Sequence, residues 1–395
     1  MIGISKLYCG TIEPSDALRY GRRAGKLPSH LLQFSSDKKP VVVWNCTRAC
    51  NLKCIHCYAH AHGGCAPDEL TFDEGRALID DLAAFGAPVL LFSGGEPLCR
   101  ADLPQLAQYA VDQGMRAVIS TNGTLITEAV AERLKAVGLS YVGISLDGMR
   151  DTNDKFRGVA GAFERALAGI RACRKAGIKV GLRYTISRHN VGDIGDIFEL
   201  LEQERIRRIC FYHLVYSGRG EEMVGDDISH FETRRVLDTI IDRTADLHAR
   251  GLPTEVLTVD NHCDGPHLYL RLLAEGRTAD AARVMELLRM NGGNSSGHGI
   301  GCVSWNGEVY PDQFLRHHSL GNVREYPFSR IWTDPDNAFM QAMKNKQAHV
   351  TGKCVDCRFL DVCGGNFRAR AEAATSNFWG VDPACYLDED EIRGG

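Results

Sequence analysis

Three closely spaced cysteines, Cys50, Cys54 and Cys57, constrain most strongly what this chain can fold into and bind. They are spaced C-x3-C-x2-C and follow the apolar run at residues 41–44. A short apolar run bounded by turn residues indicates a buried strand, so the cysteines lie on the loop leaving its C-terminal end. A four-iron cluster is normally held by four cysteines, so three thiolates can hold three irons and leave one open. The alternatives are a zinc knuckle or buried free thiols, although zinc sites usually show paired C-x2-C or histidine spacings.

The composition is that of an ordinary globular protein, with 44% hydrophobic and 24% charged residues among 395. This length suggests two domains, or one large barrel with an appendage. A net charge of −4 offers no basic field for nucleic acid. There is no run of about 18 apolar residues that would indicate a membrane span. The start of the sequence lacks a secretory signal, so we expect a cytoplasmic location where the fifteen cysteines serve metal binding or catalysis.

From residue 41 onward, short apolar segments alternate with helical patterns. This alternation predicts a parallel sheet with right-handed crossovers. A closed barrel of this type has eight strands, so six units predict an open, partial (β/α)6 barrel of the α/β class, which binds ligands at the C-terminal ends of its strands. The predicted strands are 41–45, 89–93, 117–121, 141–146, 180–186 and 209–215. The predicted helices between them are 71–85, 102–113, 128–137, 162–176 and 194–204, the first with a capping-box-like start.

The rest of the chain is predicted to be helical at 226–250 and 266–290, with either a seventh strand or a linker at 255–259. An Asn-Gly turn predicts a β-hairpin at 302–311. Cys354, Cys357 and Cys363 then follow a C-x2-C-x5-C pattern, with Cys385 further on. Four thiolates suffice for a fully coordinated four-iron cluster, but a zinc site with four cysteines has the same ligand count. Among the scattered cysteines, Cys263 is expected to be a small hydrophobic residue.

Small and polar residues stand at the ends of the predicted strands. In the sequence Ser-Gly-Gly-Glu-Pro, Gly94 and Gly95 allow the backbone to approach a ligand closely, and the Glu96 carboxylate could receive an ammonium. Asn122 and Ser145 end the third and fourth strands. All of these are also ordinary turn residues. An arginine inside an apolar strand needs a partner, which singles out Arg183.

Together the cysteine loop and the Gly-Gly-Glu-Pro sequence resemble the radical S-adenosylmethionine (radical SAM) family, in which an aromatic residue, here His56, precedes the third cysteine. The resemblance implies a SAM-binding 4Fe-4S cluster held by the first three cysteines. It also implies a 5′-deoxyadenosyl radical that abstracts hydrogen from the substrate, with no catalytic side chain beyond the cluster-bound SAM. The SAM-binding residues that it implies are His56, Tyr58, Gly94, Gly95, Glu96, Asn122, Ser145, Arg157 and Arg183, the last two as candidates for the SAM carboxylate.

The C-terminal cysteines resemble the SPASM domain, or its shorter twitch form, which implies a second, auxiliary 4Fe-4S cluster held by Cys354, Cys357, Cys363 and Cys385. Asp312 and Phe367 stand where a full SPASM domain has further cysteines, so one auxiliary cluster is expected, with Asp312 as a solvated turn residue. The predicted division is an N-terminal extension (1–40), the barrel (41–250), a linker with helices (251–300) and the auxiliary-cluster domain (301–395).

Over essentially its whole length the chain resembles the radical SAM enzymes of siroheme-dependent haem synthesis, in stretches that include 1–22, 39–45, 57–61 and 307–314. This implies an iron-containing tetrapyrrole substrate, 12,18-didecarboxysiroheme, that loses the acetate groups at C2 and C7. It further implies a low-potential electron donor such as flavodoxin or ferredoxin, and no nucleic-acid or membrane partner. Residues available for the substrate carboxylates are Arg22, Arg23, Lys26, Arg316, His317 and His318.

Three alternatives stay open. A related enzyme of haem d1 synthesis would remove propionates from the same precursor. A SPASM-type peptide maturase would need a peptide-binding domain, for which the first 40 residues leave no clear room. A non-enzymatic iron–sulfur electron carrier would make the SAM motifs a coincidence.

Overall fold

Eight parallel strands form the centre of the computed structural model, which describes residues 1–13, 16, 19 and 39–394. Their spatial order is β9-β2-β3-β4-β5-β6-β7-β8, and every neighbouring pair in this run is parallel. The strands are β2 Val41–Asn45, β3 Val89–Ser93, β4 Arg116–Thr121, β5 Tyr141–Ser145, β6 Val180–Ile186, β7 Arg208–His213, β8 Glu255–Val259 and β9 Ile300–Val303.

The six predicted strands are confirmed to within two residues at each end, and the parallel run is longer than predicted. Residues 255–259 are a seventh strand rather than a linker, and β9, the first strand of the predicted hairpin, pairs with β2. The outer strands are antiparallel to their neighbours: β1 Ile2–Gly3 next to β8, β10 Glu308–Tyr310 next to β9, and β11 Gly321–Asn322 next to β10. The strand order ends at β1 and β11, so the sheet of the described residues is open, as predicted.

Helices connect the strands and cover the outside of the sheet. The first of the barrel, α2, begins with a complete capping box between Thr71 and Glu74 and ends at Gly86, which has a φ of +82°. The described helices are α1 Ile4–Cys9, α2 Phe72–Phe85, α3 Leu103–Asp112, α4 Glu128–Ala136, α5 Arg150–Arg157, α6 Ala162–Lys175, α7 Ile194–Gln203, α8 His230–Ala249, α9 Asp264–Ala274, α10 Thr278–Asn291, α11 Phe328–Thr333, α12 Ala338–Lys344, α13 Leu360–Cys363, α14 Arg368–Thr375 and α15 Glu389–Arg393.

Alternation along the strands decides which side chains reach the barrel interior. On β6, Leu182 and Tyr184 are buried in the main core, whereas Arg183 and Thr185 line the interior cavity. The register places Arg183 beside Ser145 of β5. Because the strands are parallel, the loops that leave their C-terminal ends meet at one mouth.

The described part of the N-terminal segment packs against β8, through β1 and through Arg19 beside Glu255. Arg19 is buried and forms ion pairs with Glu13, at 2.6 Å, and with Asp16, at 3.1 Å. Arg22, Arg23 and Lys26 lie outside the described residues. None of the described helices is long and apolar enough to cross a membrane.

Candidate active site

The loop that carries Cys50, Cys54 and Cys57 leaves the C-terminal end of β2, where all three thiols line one cavity. Backbone hydrogen bonds hold this loop to the end of α5, from Lys53 N to Arg157 O and from Ile55 N to Phe156 O, each at 3.0 Å. The cavity encloses about 1100 Å³, including the part open to solvent. The structure therefore brings the three predicted cluster cysteines together at the mouth of the barrel.

Hydrogen-bond donors face the sulfur atoms of this loop. Leu52 N donates to Cys50 Sγ at 3.4 Å, and Arg157 Nη1 donates to Cys54 Sγ at 3.5 Å. Burial raises the pKa of the Cys50 thiol to about 12, so without a metal this thiol is protonated. Metal binding deprotonates such thiols, and nearby N–H groups stabilise the thiolates. This donor set fits an iron–sulfur cluster.

Gly94 and Gly95 press against the cysteine loop. Gly94 has a φ of +142°, and a Cβ there would lie 2.4 Å from Thr47 O. A Cβ on Gly95 would lie 2.2 Å from Ala49 O, and Gly95 N donates to Thr47 O at 2.8 Å. Both glycines line the cavity, so their backbone is open to a ligand on one side and locks the cysteine loop on the other.

Glu96 differs from the expectation that its carboxylate receives an ammonium. The side chain is fully buried and is not among the residues that line the cavity. Its carboxylate accepts hydrogen bonds from Thr121 Oγ1 and Asn122 N, each at 2.7 Å, and from Leu98 N at 3.1 Å. These bonds engage both oxygens, so the carboxylate holds the end of β4 in place.

Asn122 and Ser145 line the cavity at the ends of β4 and β5, as predicted. Asn122 Nδ2 donates to Asn51 Oδ1 at 2.9 Å and lies 4.0 Å from Cys50 Sγ. The adjoining Tyr58 hydroxyl donates to Asn45 Oδ1 at 3.0 Å, and its ring meets the edge of Phe314 at 5.2 Å. These contacts fix polar groups around the cysteine loop.

His56 and Arg157 share a buried carboxylate, Asp147, which the sequence did not single out. Arg157 forms an ion pair with Asp147, and His56 Nε2 lies 3.7 Å from the same carboxylate. The His56 ring packs on Phe156 with the centroids 4.4 Å apart, and burial lowers the pKa of this histidine to about 4. His56 is therefore neutral at physiological pH.

Arg183 lies on the opposite wall of the same cavity. Its guanidinium lies over the Tyr212 ring, 4.5 Å from the centroid. No carboxylate of the described residues forms an ion pair with it, in contrast to Arg157. The cavity therefore holds one arginine bound to an internal carboxylate and one available for a ligand's carboxylate.

The C-terminal part of the chain closes the cavity with residues that local sequence patterns did not reveal. Gln313 and Phe314 line the cavity, and Gln313 Oε1 is buried without a hydrogen-bond partner in the described part of the chain. Asp312 is a correction: it is buried rather than solvated, and it accepts from Phe314 N at 2.7 Å and Leu315 N at 2.9 Å. It shapes the turn that presents Gln313 and Phe314.

The second cysteine group forms a separate cavity. Cys354, Cys357, Cys363 and Cys385 line it together with Cys263, so the expectation of a merely scattered hydrophobic Cys263 is wrong. Among the described residues, no three His, Cys, Asp or Glu side chains are arranged to hold a single metal ion.

Two of the candidate residues for substrate carboxylates have partners within the protein. Arg316 lies over the Trp305 ring at 4.4 Å, and His318 is 2.9 Å from a Glu372 oxygen. Neither lines the cavity described above, so the structure does not bring them to the cysteine loop. His317 is exposed, with Glu221 3.9 Å away.

Comparison with known protein families identifies the family to which this chain belongs. The radical SAM superfamily profile matches residues 44–201, and the profile of the SPASM iron–sulfur cluster-binding domain matches residues 298–358. With the relatives described next, these matches show that the chain belongs to the radical SAM superfamily. It is an enzyme that uses SAM and two 4Fe-4S clusters.

Among its relatives, Fe-coproporphyrin III synthase of Methanosarcina barkeri is 65% identical over 396 residues, which cover 99% of each chain. Pre-heme d1 synthase of Dinoroseobacter shibae is 41% identical over 354 residues, covering 89% of this chain and 87% of the other. Mycofactocin maturase MftC of Mycobacterium tuberculosis is 30% identical over 92% of this chain and 88% of its own.

Solved structures share the fold. Streptococcus suis SuiB bound to its precursor peptide SuiA has a TM-score of 0.68 at 17% identity, covering 89% of this chain and 76% of that one. The enzyme anSMEcpe with bound AdoMet and a peptide has a TM-score of 0.67 at 17% identity, covering 88% and 94%. At this identity the likeness shows the fold alone.

Proposed function

We propose that this enzyme removes the acetate side chains at C2 and C7 of 12,18-didecarboxysiroheme and forms Fe-coproporphyrin III. The observation that carries the proposal is the 65% identity to Fe-coproporphyrin III synthase over 99% of both chains. A second candidate, propionate removal in haem d1 synthesis, is supported by the 41% identity to pre-heme d1 synthase, which is lower and covers less of each chain.

We assign the SAM-binding cluster to Cys50, Cys54 and Cys57, since their thiols share one cavity and receive N–H donors. We assign the auxiliary cluster to the C-terminal cysteines that share the second cavity, Cys354, Cys357, Cys363 and Cys385. The predicted division of the chain at residues 40, 250 and 300 stays part of this proposal.

The SAM shell that we propose surrounds the cysteine loop. His56, Tyr58, Gly94, Gly95, Asn122 and Ser145 all line its cavity. Arg183 is assigned to the SAM carboxylate because it faces the cavity without an internal carboxylate partner. Arg157 orients the loop by binding both Asp147 and Cys54, and Glu96 acts on the shell through the backbone of Asn122.

A cluster held by Cys50, Cys54 and Cys57 would, with SAM bound, supply radical chemistry for hydrogen abstraction from the substrate. The chain's own residues position the reactants and keep water from the reacting atoms. The rings of Phe314 and of Tyr212, which has Arg183 over one face, line the cavity that a flat ring system would enter.

We place the reaction in the cytoplasm, with a low-potential one-electron donor such as flavodoxin or ferredoxin. The substrate is an iron-containing tetrapyrrole, and neither nucleic acid nor a membrane takes part. The absence of a strong net positive charge supports the first of these exclusions.

The test uses anaerobically reconstituted enzyme with 12,18-didecarboxysiroheme, SAM and a reductant, followed by product masses. We expect the loss of two acetate units together with 5′-deoxyadenosine. Loss of propionates would support the haem d1 reaction instead, and no 5′-deoxyadenosine would refute both. A Cys54→Ala variant is the control: it should lose activity and its first cluster while iron at the C-terminal site remains.

A further inference from the structure

Five cysteines, one more than a four-iron cluster needs, meet in the C-terminal cavity. Four belong to the last part of the chain, whereas Cys263 immediately precedes α9 and follows β8 of the barrel. Cys263 is completely buried and lines the same cavity as Cys363 and Cys385. The extra thiol therefore lies among the proposed ligands.

Asn366 fixes the direction in which Cys263 can donate. His262 N donates to Asn366 Oδ1 at 2.7 Å, which identifies the amide oxygen and turns the amide nitrogen toward Cys263. Asn366 Nδ2 then donates to Cys263 Sγ at 3.5 Å and to Asn261 Oδ1 at 2.9 Å. The Cys263 sulfur accepts this bond, which leaves its own S–H hydrogen free to donate to a neighbouring sulfur.

The backbone conformation of Asn366 holds its side chain next to Cys263. Asn366 has a φ of +60°, a left-handed conformation that asparagine tolerates better than most residues. It is itself buried and follows Cys363 by three residues, so it is held beside the proposed cluster ligands.

We propose that Cys263 is an S–H donor to the thiolates of Cys363 and Cys385, and that it raises the reduction potential of the auxiliary cluster. Hydrogen bonds to the sulfurs of a cluster are one of the features that set its potential. A donor stabilises the more negative, reduced form, so its presence shifts the potential upward. Cys263 is thus a positioning residue for the cluster rather than a fifth ligand, and this rests on the ligand assignment proposed above.

The test measures iron content and the midpoint potential of the auxiliary cluster by EPR-monitored redox titration, in the Cys54→Ala background that isolates this cluster. We expect Cys263→Ala to keep the iron of that background and to shift the potential to more negative values. Cys263→Ser, which keeps a donor, should restore much of the shift. Cys173→Ala, at an equally buried cysteine on α6, is the matched control and should leave the potential unchanged.

Loss of iron or a three-iron EPR signal in the Cys263 variants would overturn the proposal by making Cys263 a ligand. An unchanged potential would overturn it too. Should Cys263→Ala not fold, Cys263→Val fills the space of the thiol without a donor and carries the same expectation. No substrate turnover enters these readouts, so failure here is distinguishable from failure of the proposed reaction.

Discussion

Asp260 is a buried carboxylate that the fold keeps in an unfavourable environment. It follows β8 with a φ of +66°, lines the active-site cavity and is only 8% exposed. Burial raises the pKa of its carboxyl to about 6, partly offset by the positive charges of Arg370, the N-terminus and Arg183, while Asp312 raises this pKa further. Ionising Asp260 therefore destabilises the folded protein.

The magnitude follows from the linkage between pKa and stability. The carboxyl's ordinary pKa is 3.8 and its pKa in the fold is about 6. At about 1.36 kcal/mol per pKa unit, the folded state loses up to roughly 3 kcal/mol as pH rises from below the first value to above the second. Asp260→Asn cannot ionise and tolerates the left-handed backbone. We therefore expect this variant to gain up to about 3 kcal/mol in free energy of unfolding at pH 8 and almost nothing near pH 4.

The assay is anaerobic urea unfolding of wild type and variant at pH 5, 6.5 and 8. The difference in stability should grow with pH through the region between the two pKa values. Asp336→Asn, at an exposed aspartate, serves as the control and should show no such growth. An Asp260→Asn variant that is no more stable than wild type at pH 8 would refute the reasoning, because the carboxylate would then be well solvated or paired.

Three further perturbations test other parts of the structure. Glu96→Gln puts an amide in place of the carboxylate that accepts hydrogen bonds from two backbone N–H groups. We expect the free energy of unfolding in urea to fall by about 1–3 kcal/mol and SAM binding, measured by equilibrium dialysis, to weaken. Unchanged values would contradict the role of Glu96 in holding the end of β4. Arg370→Met leaves the buried Asp382 charge unpaired and should lower the free energy of unfolding by about 3–5 kcal/mol. The loss should be smaller in the double variant that also carries Asp382→Asn. If the losses of the two single variants simply add in the double variant, the two residues are not coupled. Gly94→Ala places a Cβ against Thr47 O and should reduce the iron bound at the first cluster only, as measured by iron content and EPR. Full iron occupancy at the first cluster would show that the cysteine loop adjusts to the Cβ.

The sequence predicts the fold well where the signal is local. Short apolar strands bounded by turn residues, and a capping box at Thr71, locate the barrel elements to within two residues. It leaves residues 255–259 ambiguous, because a short apolar segment does not show by itself whether a partner strand exists. The pairing of β9 with β2 joins residues some 260 positions apart, and no local pattern encodes such a contact.

The difference between local patterns and contacts of distant residues also explains which site residues the sequence predicts. The first cysteine loop is a local motif, so the spacing of its cysteines is enough to predict that they share one site. Glu96 belongs to an equally local motif, yet where its carboxylate points is decided by Thr121 and Asn122 on the next strand. Cys263 has no cysteine near it in sequence, and its place is decided by how the C-terminal part packs on the barrel.

The segment that follows β8 connects the two proposed metal sites. Asp260 lines the active-site cavity and Cys263 lines the auxiliary one. Next to Cys263, Asp264 accepts from Tyr386 at 2.8 Å and lies 2.9 Å from His213, which itself lines the active-site cavity. Buried networks of this kind rigidify the elements that they join, so Tyr386 and the His213 wall of the active-site cavity are held in one arrangement by Asp264. The C-terminal part of the chain therefore helps to shape the cavity that holds the first three cysteines, through this network and through Gln313 and Phe314.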